Sequence, residues 1–276
     1  RRVLFRSNAN TAAVLNGTAV VTPLVGDDVA VAGNGKGTFA NKNVGTGKAV
    51  TVSGFTLLGS DAGNYQLLQP TGMTADITAA DLQVTGVGAA NMVYNANTTA
   101  TLTGTAQVAP LASDVVTLSS GSASAAFADK NVGTGKPVTA TGYALTGSDA
   151  GNYSLVQPTG LTANISQLDV QITGVSANSR AYNGNTTASL TGTAALSALA
   201  GDVVSVDASG AAGTFADKNI GTGKAVTATG YTLTGSDAGN YNPMQPIGLS
   251  ANINMATLLI SGITVNNKTY DGNTNA

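Results

Sequence analysis

Apolar Val, Leu, Ile and Ala alternate with Thr, Ser, Gln and Asn in short runs at 83–87, 100–106, 115–118, 125–128, 138–145, 153–157 and 161–165. A two-residue period over four to eight positions marks strands with one face buried. Turn formers separate the runs: Asn95-Ala96-Asn97, Gly133-Thr134-Gly135, the GSDAGN stretch that starts at Gly147, and Pro158-Thr159-Gly160. Seven short strands in about 88 residues predict an all-β domain, a small sandwich of immunoglobulin-like or similar kind.

The pattern then repeats. GSDAGNY ends on Tyr65, Tyr153 and Tyr241, a spacing of 88 residues both times, and Phe39, Phe127 and Phe215 keep the same step, as do Tyr94, Tyr182 and Tyr270. The chain divides into a first repeat at 8–83 that lacks its opening strand, repeats at 84–171 and 172–259, and the start of a fourth at 260–276. Solenoid coils and propeller blades repeat every 20–50 residues or so, so each unit is expected to hold its own core. The join at Ser166 and Gln167 contains neither Gly nor Pro, so one unit's last strand should lead almost directly into the next unit's first. A rod with little bending follows as an expectation, each copy adding on the order of 30–40 Å. Both ends read as cut, and unpaired strand edges are expected there. Residues 1–7, RRVLFRS, match nothing in the later copies. They read as the translation of a synthetic adapter and are set aside.

Composition narrows the chemistry. Of 276 residues 42% are hydrophobic, largely Ala and Val, only 9% are charged, and all 14 acids are Asp. The absence of Cys removes disulfides and thiolates, and the absence of His removes the commonest general base and zinc ligand. A net charge of -2, or 9 - 14 = -5 without residues 1–7, argues against nucleic acid. No run approaches the ~18 apolar residues of a membrane-spanning helix, so no membrane insertion is expected of this segment.

Several stretches resemble functional sites, and each has a plainer structural role. Gly45-Thr-Gly-Lys48 and its copies ending at Lys136 and Lys224 resemble a phosphate loop, but Lys42, Lys130 and Lys218 stand where its first Gly belongs. A hairpin turn is the expected role. GSDAGN could offer oxygens to calcium, yet one carboxylate per copy favours a structural turn. Asp27, Asp28, Asp114, Asp202 and Asp207 are the candidate glycosidase carboxylates, and solvated turn acids are the expected role. Tyr94, Phe127, Tyr143, Tyr153, Tyr182, Phe215, Tyr231 and Tyr241 are expected to pack in cores rather than stack on sugars or bases. Lys130 or Lys136, with Asn131, Asp129 and Asp149 nearby in sequence, raised an isopeptide staple. No catalytic, cofactor-binding or metal-ligating residue and no cofactor is assigned.

The strings Tyr270-Asp-Gly-Asn-Thr274, FADKNVGTGK from Phe127 and GSDAGNY from Gly147, followed by QPTGLTA from Gln157, resemble YDG-type repeats of bacterial surface and secreted adhesins, the filamentous-haemagglutinin-like exported proteins. In two copies the name-giving triplet is Tyr94-Asn95-Ala96 and Tyr182-Asn183-Gly184. The resemblance covers residues 8–276 and implies a secreted or cell-surface module without enzymatic activity. The expected function is a stalk or spacer that projects a binding region from the cell surface. Its partners would be neighbouring repeats of the same chain. The alternative is a module that binds glycan or a host or matrix protein, weakly and multivalently, through the variable stretches 19–37, 106–126 and 194–213.

Overall fold

The computed structural model describes residues 4–6, 9–111 and 113–275, with backbone alone at 4–6. The chain is all-β, and among the described residues its helical content is three 3-10 turns, Ala62–Asn64, Ala150–Asn152 and Ala238–Asn240, one in each GSDAGN stretch.

The third repeat shows the plan. A five-stranded sheet runs in the order Arg180–Ala181, Ser250–Asn254, Gly221–Thr229, Ala212–Phe215, Thr187–Ala188. Three ladders accompany it. Thr173–Ala177 pairs antiparallel with Leu190–Ala195, and Ser205–Asp207 pairs antiparallel with Thr232–Thr234. Leu168–Gln171 runs parallel to Tyr241–Met244. Alternation along Gly221–Thr229 turns Val226 and Ala228 inward and their neighbours outward. Phe215, Val226, Ala188, Ala251 and Ile253 form one buried cluster, and Ile172, Ala228 and Tyr231 form a second. Leu190 and Leu249 touch both, so the two clusters make one interior. The Arg180 guanidinium caps it, 5.2 Å from the centre of the Phe215 ring.

The first repeat has its own cluster of Phe39, Val50, Val52 and Ile77. Its five-stranded sheet contains Leu4–Arg6, pairing parallel to Met73–Thr78. Those three residues belong to the segment set aside as an adapter; backbone pairing is indifferent to their side chains. One residue, Ala79, separates Met73–Thr78 from Ala80–Gln83, and one, Gln167, separates Leu161–Ser166 from Leu168–Gln171.

Two local expectations need correction. GTGK is not a hairpin turn: Gly45–Ser53, Gly133–Thr141 and Gly221–Thr229 are unbroken strands that begin with it. Register slips between Gly45 and Lys48 and between Gly221 and Lys224, a β-bulge at which Gly47 and Gly223 take φ +60° and +61°. The freed Gly N–H is taken by a neighbouring strand, at 2.8 Å by Asp76, 2.7 Å by Asn164 and 2.7 Å by Asn252. The protein's own side chains therefore occupy the donors a phosphate would need. The run 138–145, read as one strand, is split at Gly142, where φ is +87°.

At the turn that names the repeat, Ala9, Ala96, Gly184 and Gly272 all have positive φ, +60°, +62°, +83° and +73°. A Cβ in that region costs about 1–2 kcal/mol, which exceeds the extra chain entropy a Gly loses. Ala96→Gly should therefore stabilise the fold by about 0.5 kcal/mol, and Gly184→Ala should destabilise it by a similar amount, both read from denaturant midpoints.

Candidate functional site

The most elaborate polar cluster ties one repeat to the next. Its base in the third repeat is made by two loops. A turn in which Asp202 N–H bonds Leu199 carries Asp202, and the GSDAGN turn carries Asp237, Asn240 and Tyr241. Leu199 N–H donates to the Tyr241 hydroxyl at 2.9 Å, and that hydroxyl donates to Asp202 at 2.6 Å. Val203 N–H donates to Asp237 at 3.0 Å. Two carboxylates are thus fixed side by side before any cation arrives.

Val93–Asn97 and Lys130–Gly133, from the second repeat in sequence, close the cluster. Lys130 Nζ forms ion pairs with Asp202 and with Asp237, the latter at 3.1 Å. The Tyr94 hydroxyl donates to Asp202 at 2.7 Å, and its ring meets that of Tyr241 edge-on at 5.5 Å. Lys130 Nζ stands 5.8 Å from the Tyr94 ring centre. Asn240 takes the Val132 N–H at 2.9 Å and donates to Asn131 at 3.2 Å. Beside this clamp, Leu168–Gln171 adds a parallel strand to Tyr241–Met244, and the Gln171 amide donates to the Gln245 carbonyl at 2.8 Å.

The same parts recur one repeat earlier. Lys42 pairs with Asp114 and, at 3.0 Å, with Asp149; Tyr153 donates to Asp114 at 2.7 Å; Val44 N–H donates to Asn152 at 2.9 Å. Ala80–Gln83 runs parallel to Tyr153–Val156. In sequence Tyr94 aligns with Ser7, which lies outside the described residues.

Electrostatics follow the geometry. Burial pushes the Asp202 carboxyl up, but the Lys130 ammonium and the hydroxyls of Tyr241 and Tyr94 outweigh it and hold it below the ordinary range. Burial, with Asp202 beside it, pushes Tyr241 up to about 12. Asp202, Tyr94 and Asp237 raise the Lys130 ammonium. The cluster holds a charged lysine on a charged carboxylate, an arrangement suited to joining rather than to proton transfer.

The structure redistributes the sequence candidates. Asp114 and Asp202 are clamp acids with no side-chain exposure. Asp207 accepts the Ser209 N–H at 2.8 Å, and Asp27 accepts from Tyr65 at 2.5 Å. In GSDAGN, Asp149 and Asp237 are occupied by backbone N–H groups and by lysine. Lys136 pairs with Asp129, while Lys130 reaches past Asn131 to the next repeat. Seven of the eight aromatics are buried, and Tyr182 is the exception at 37% exposed. Pairing across 72 residues, as between Lys130 and Asp202, was missed. Its one signal was that an Asp recurs at 27, 114 and 202 within otherwise variable stretches.

Asp202→Ala should cost about 2–3 kcal/mol, because it strips the acceptor from two buried hydroxyls, while Lys130→Met should cost less. Denaturant unfolding of both variants and of their double mutant would measure the coupling. Asp202 and Asp237 have depressed pKa values, so their contribution is present above about pH 4, the unfolded carboxylate value, and is lost as pH falls through the folded values. Tyr241 is raised, so its contribution is intact below about pH 10 and is lost as pH rises through about 12. A stability profile against pH should fall at both limits. An amide bond needs a neutral amine, so the intact mass should equal that calculated for the linear chain, with no loss of water or ammonia.

Searches of curated proteins and of solved structures give no match. The YDG domain matches three times, at residues 8–74, 78–160 and 166–246, in step with the repeated clamp residues. Matched over most of its length, the chain belongs to the YDG domain family.

Proposed function

We propose that the chain is a stalk or spacer segment of a bacterial exported adhesin, acting outside the cell to hold a binding region away from the surface. The observation that carries this reading is the clamp itself. Each filled junction combines an ion-paired lysine with a buried Asn that takes the N–H of a Val on the other repeat. Such a junction resists relative movement of its two repeats, which is what a spacer requires and a flexible tether does not. The lack of Cys and Trp suits an oxidising exterior.

Small-angle scattering tests the mechanical part. Removing residues 84–171, one whole period, should shorten the maximum dimension by about 30–40 Å, and an unchanged dimension would reject the spacer. A glycan array and a cell-adhesion assay test the binding alternative, in which saturable binding abolished by Asp207→Ala would replace this reading. Asp207 is the informative position, since Asp202 holds the clamp.

A further inference from the structure

We infer that each repeat carries tension along the chain, and that its first strand is the element that holds. The spacer reading supplies the source of the tension, and in that respect the inference rests on it; the resistance is a property of a single repeat. The third repeat, matched at residues 166–246, shows the arrangement. Its first strand, Leu168–Gln171, runs parallel to Tyr241–Met244, with Leu168 opposite Tyr241 and Gln171 opposite Met244. The chain enters beside the GSDAGN turn, where the Gln167 amide donates to the carbonyls of Gly239 and Tyr241, both at 3.1 Å.

The chain leaves from the far end, because residues 241–254 retrace residues 221–234 in reverse. Gln245 brackets Tyr231, taking its N–H at 3.0 Å and donating to its carbonyl at 2.9 Å. Leu249 then accepts the Val226 N–H at 2.9 Å, Ser250 stands opposite Ala225, and Ile253 stands opposite Gly221. Gly221–Thr229 is an unbroken strand of nine residues, about 26 Å long. The ribbon it forms with Ala212–Phe215 continues beyond it, from Phe215 opposite Val226 to Ser205 opposite Thr234. Entry therefore lies at the Thr234 end of this ribbon and exit at the Gly221 end.

Tension draws the first strand toward its own start and the rest of the repeat the opposite way. The partner strand is parallel, so the two must slide along their length, and the evenly spaced bonds between them are strained together rather than in turn. Side chains pin the ladder. Asn242 donates to Asp169 at 2.8 Å. At the far end the Ile172 N–H donates to the Met244 carbonyl at 3.0 Å, and the Gln171 amide donates to the Gln245 carbonyl at 2.8 Å. Ile172 itself is buried with Ala228 and Tyr231 and must leave that core before the strand slides out. The second repeat, matched at residues 78–160, has the same parts. Ala80–Gln83 runs parallel to Tyr153–Val156, the Gln83 amide donates to the Gln157 carbonyl at 3.0 Å, and Gln157 brackets Tyr143 at 3.1 and 2.9 Å. Ala79 stands there in place of Gln167, so the glutamine at the far end is the shared pin.

Force spectroscopy on the whole chain tests the inference, because a protein without Cys accepts handles only at introduced cysteines. Gln167→Cys with Asn254→Cys pulls the third repeat end to end. Gln167→Cys with Gly239→Cys parts the near ends of the two parallel strands and opens the ladder one bond at a time; loss of the Gln167 amide is common to both. All three positions are exposed, and a Cβ at Gly239 meets nothing within 4 Å. At one pulling rate the end-to-end force should be several-fold the opening force. Forced unfolding reads the barrier to unfolding rather than equilibrium stability. Gln171→Ala, at an exposed position, should lower the end-to-end force and leave the opening force unchanged, since opening starts at the other end of the ladder. An end-to-end force no greater than the opening force would overturn the inference. So would a Gln171→Ala variant that keeps its end-to-end force, or one that loses both forces alike. The spacer reading fails separately, by an unchanged length in scattering, and that result would leave these forces as they are.

Discussion

A carboxylate withdrawn from water must be satisfied from inside the protein, and in each filled junction the Asp114 or Asp202 carboxylate draws its cation from the preceding repeat. A tyrosine hydroxyl, itself held by a backbone N–H, bonds the acid, so the lysine meets a fixed acceptor rather than a mobile one. Removing the lysine would leave a buried charge, which is what makes such a junction specific even where its net stabilisation is modest. The remaining junction contact, an Asn that takes a backbone N–H, sits beside that point.

The second constraint is that a strand exists only where a partner offers its backbone. Leu102–Gln107 and Leu190–Ala195 begin Leu-Thr-Gly-Thr-Ala, and residues 15–19 read Leu-Asn-Gly-Thr-Ala, yet only the first two are strands. The same contrast separates residues 65–68 from Tyr153–Val156, and 256–259 from Leu168–Gln171. Local sequence is similar within the first two sets. The difference is whether Thr85–Ala89, Thr173–Ala177 or a comparable strand lies alongside.

Much of the fold was legible in the chain. Period-two alternation located the strands, and Phe127, Phe215, Tyr143 and Tyr231 proved to be core residues as their fixed phase required. GTGK was misread because two glycines beside a lysine look like a turn, whereas the glycine at positive φ serves a bulge within a long strand. The clamp was hidden because Lys130 and Asp202 belong to different repeats, and no local pattern encodes a contact made over that separation.

The sequence alone determined the class, the 88-residue step and the inward face of each strand, since these follow from side-chain periodicity and turn chemistry that act over a few residues. Tertiary structure alone decided which lysine meets which acid, why Tyr94 is buried while Tyr182 is not, and which equivalent segments become strands. Those outcomes depend on a neighbour supplying a charge, a ring or a row of backbone groups, and that supply comes from residues far away along the chain.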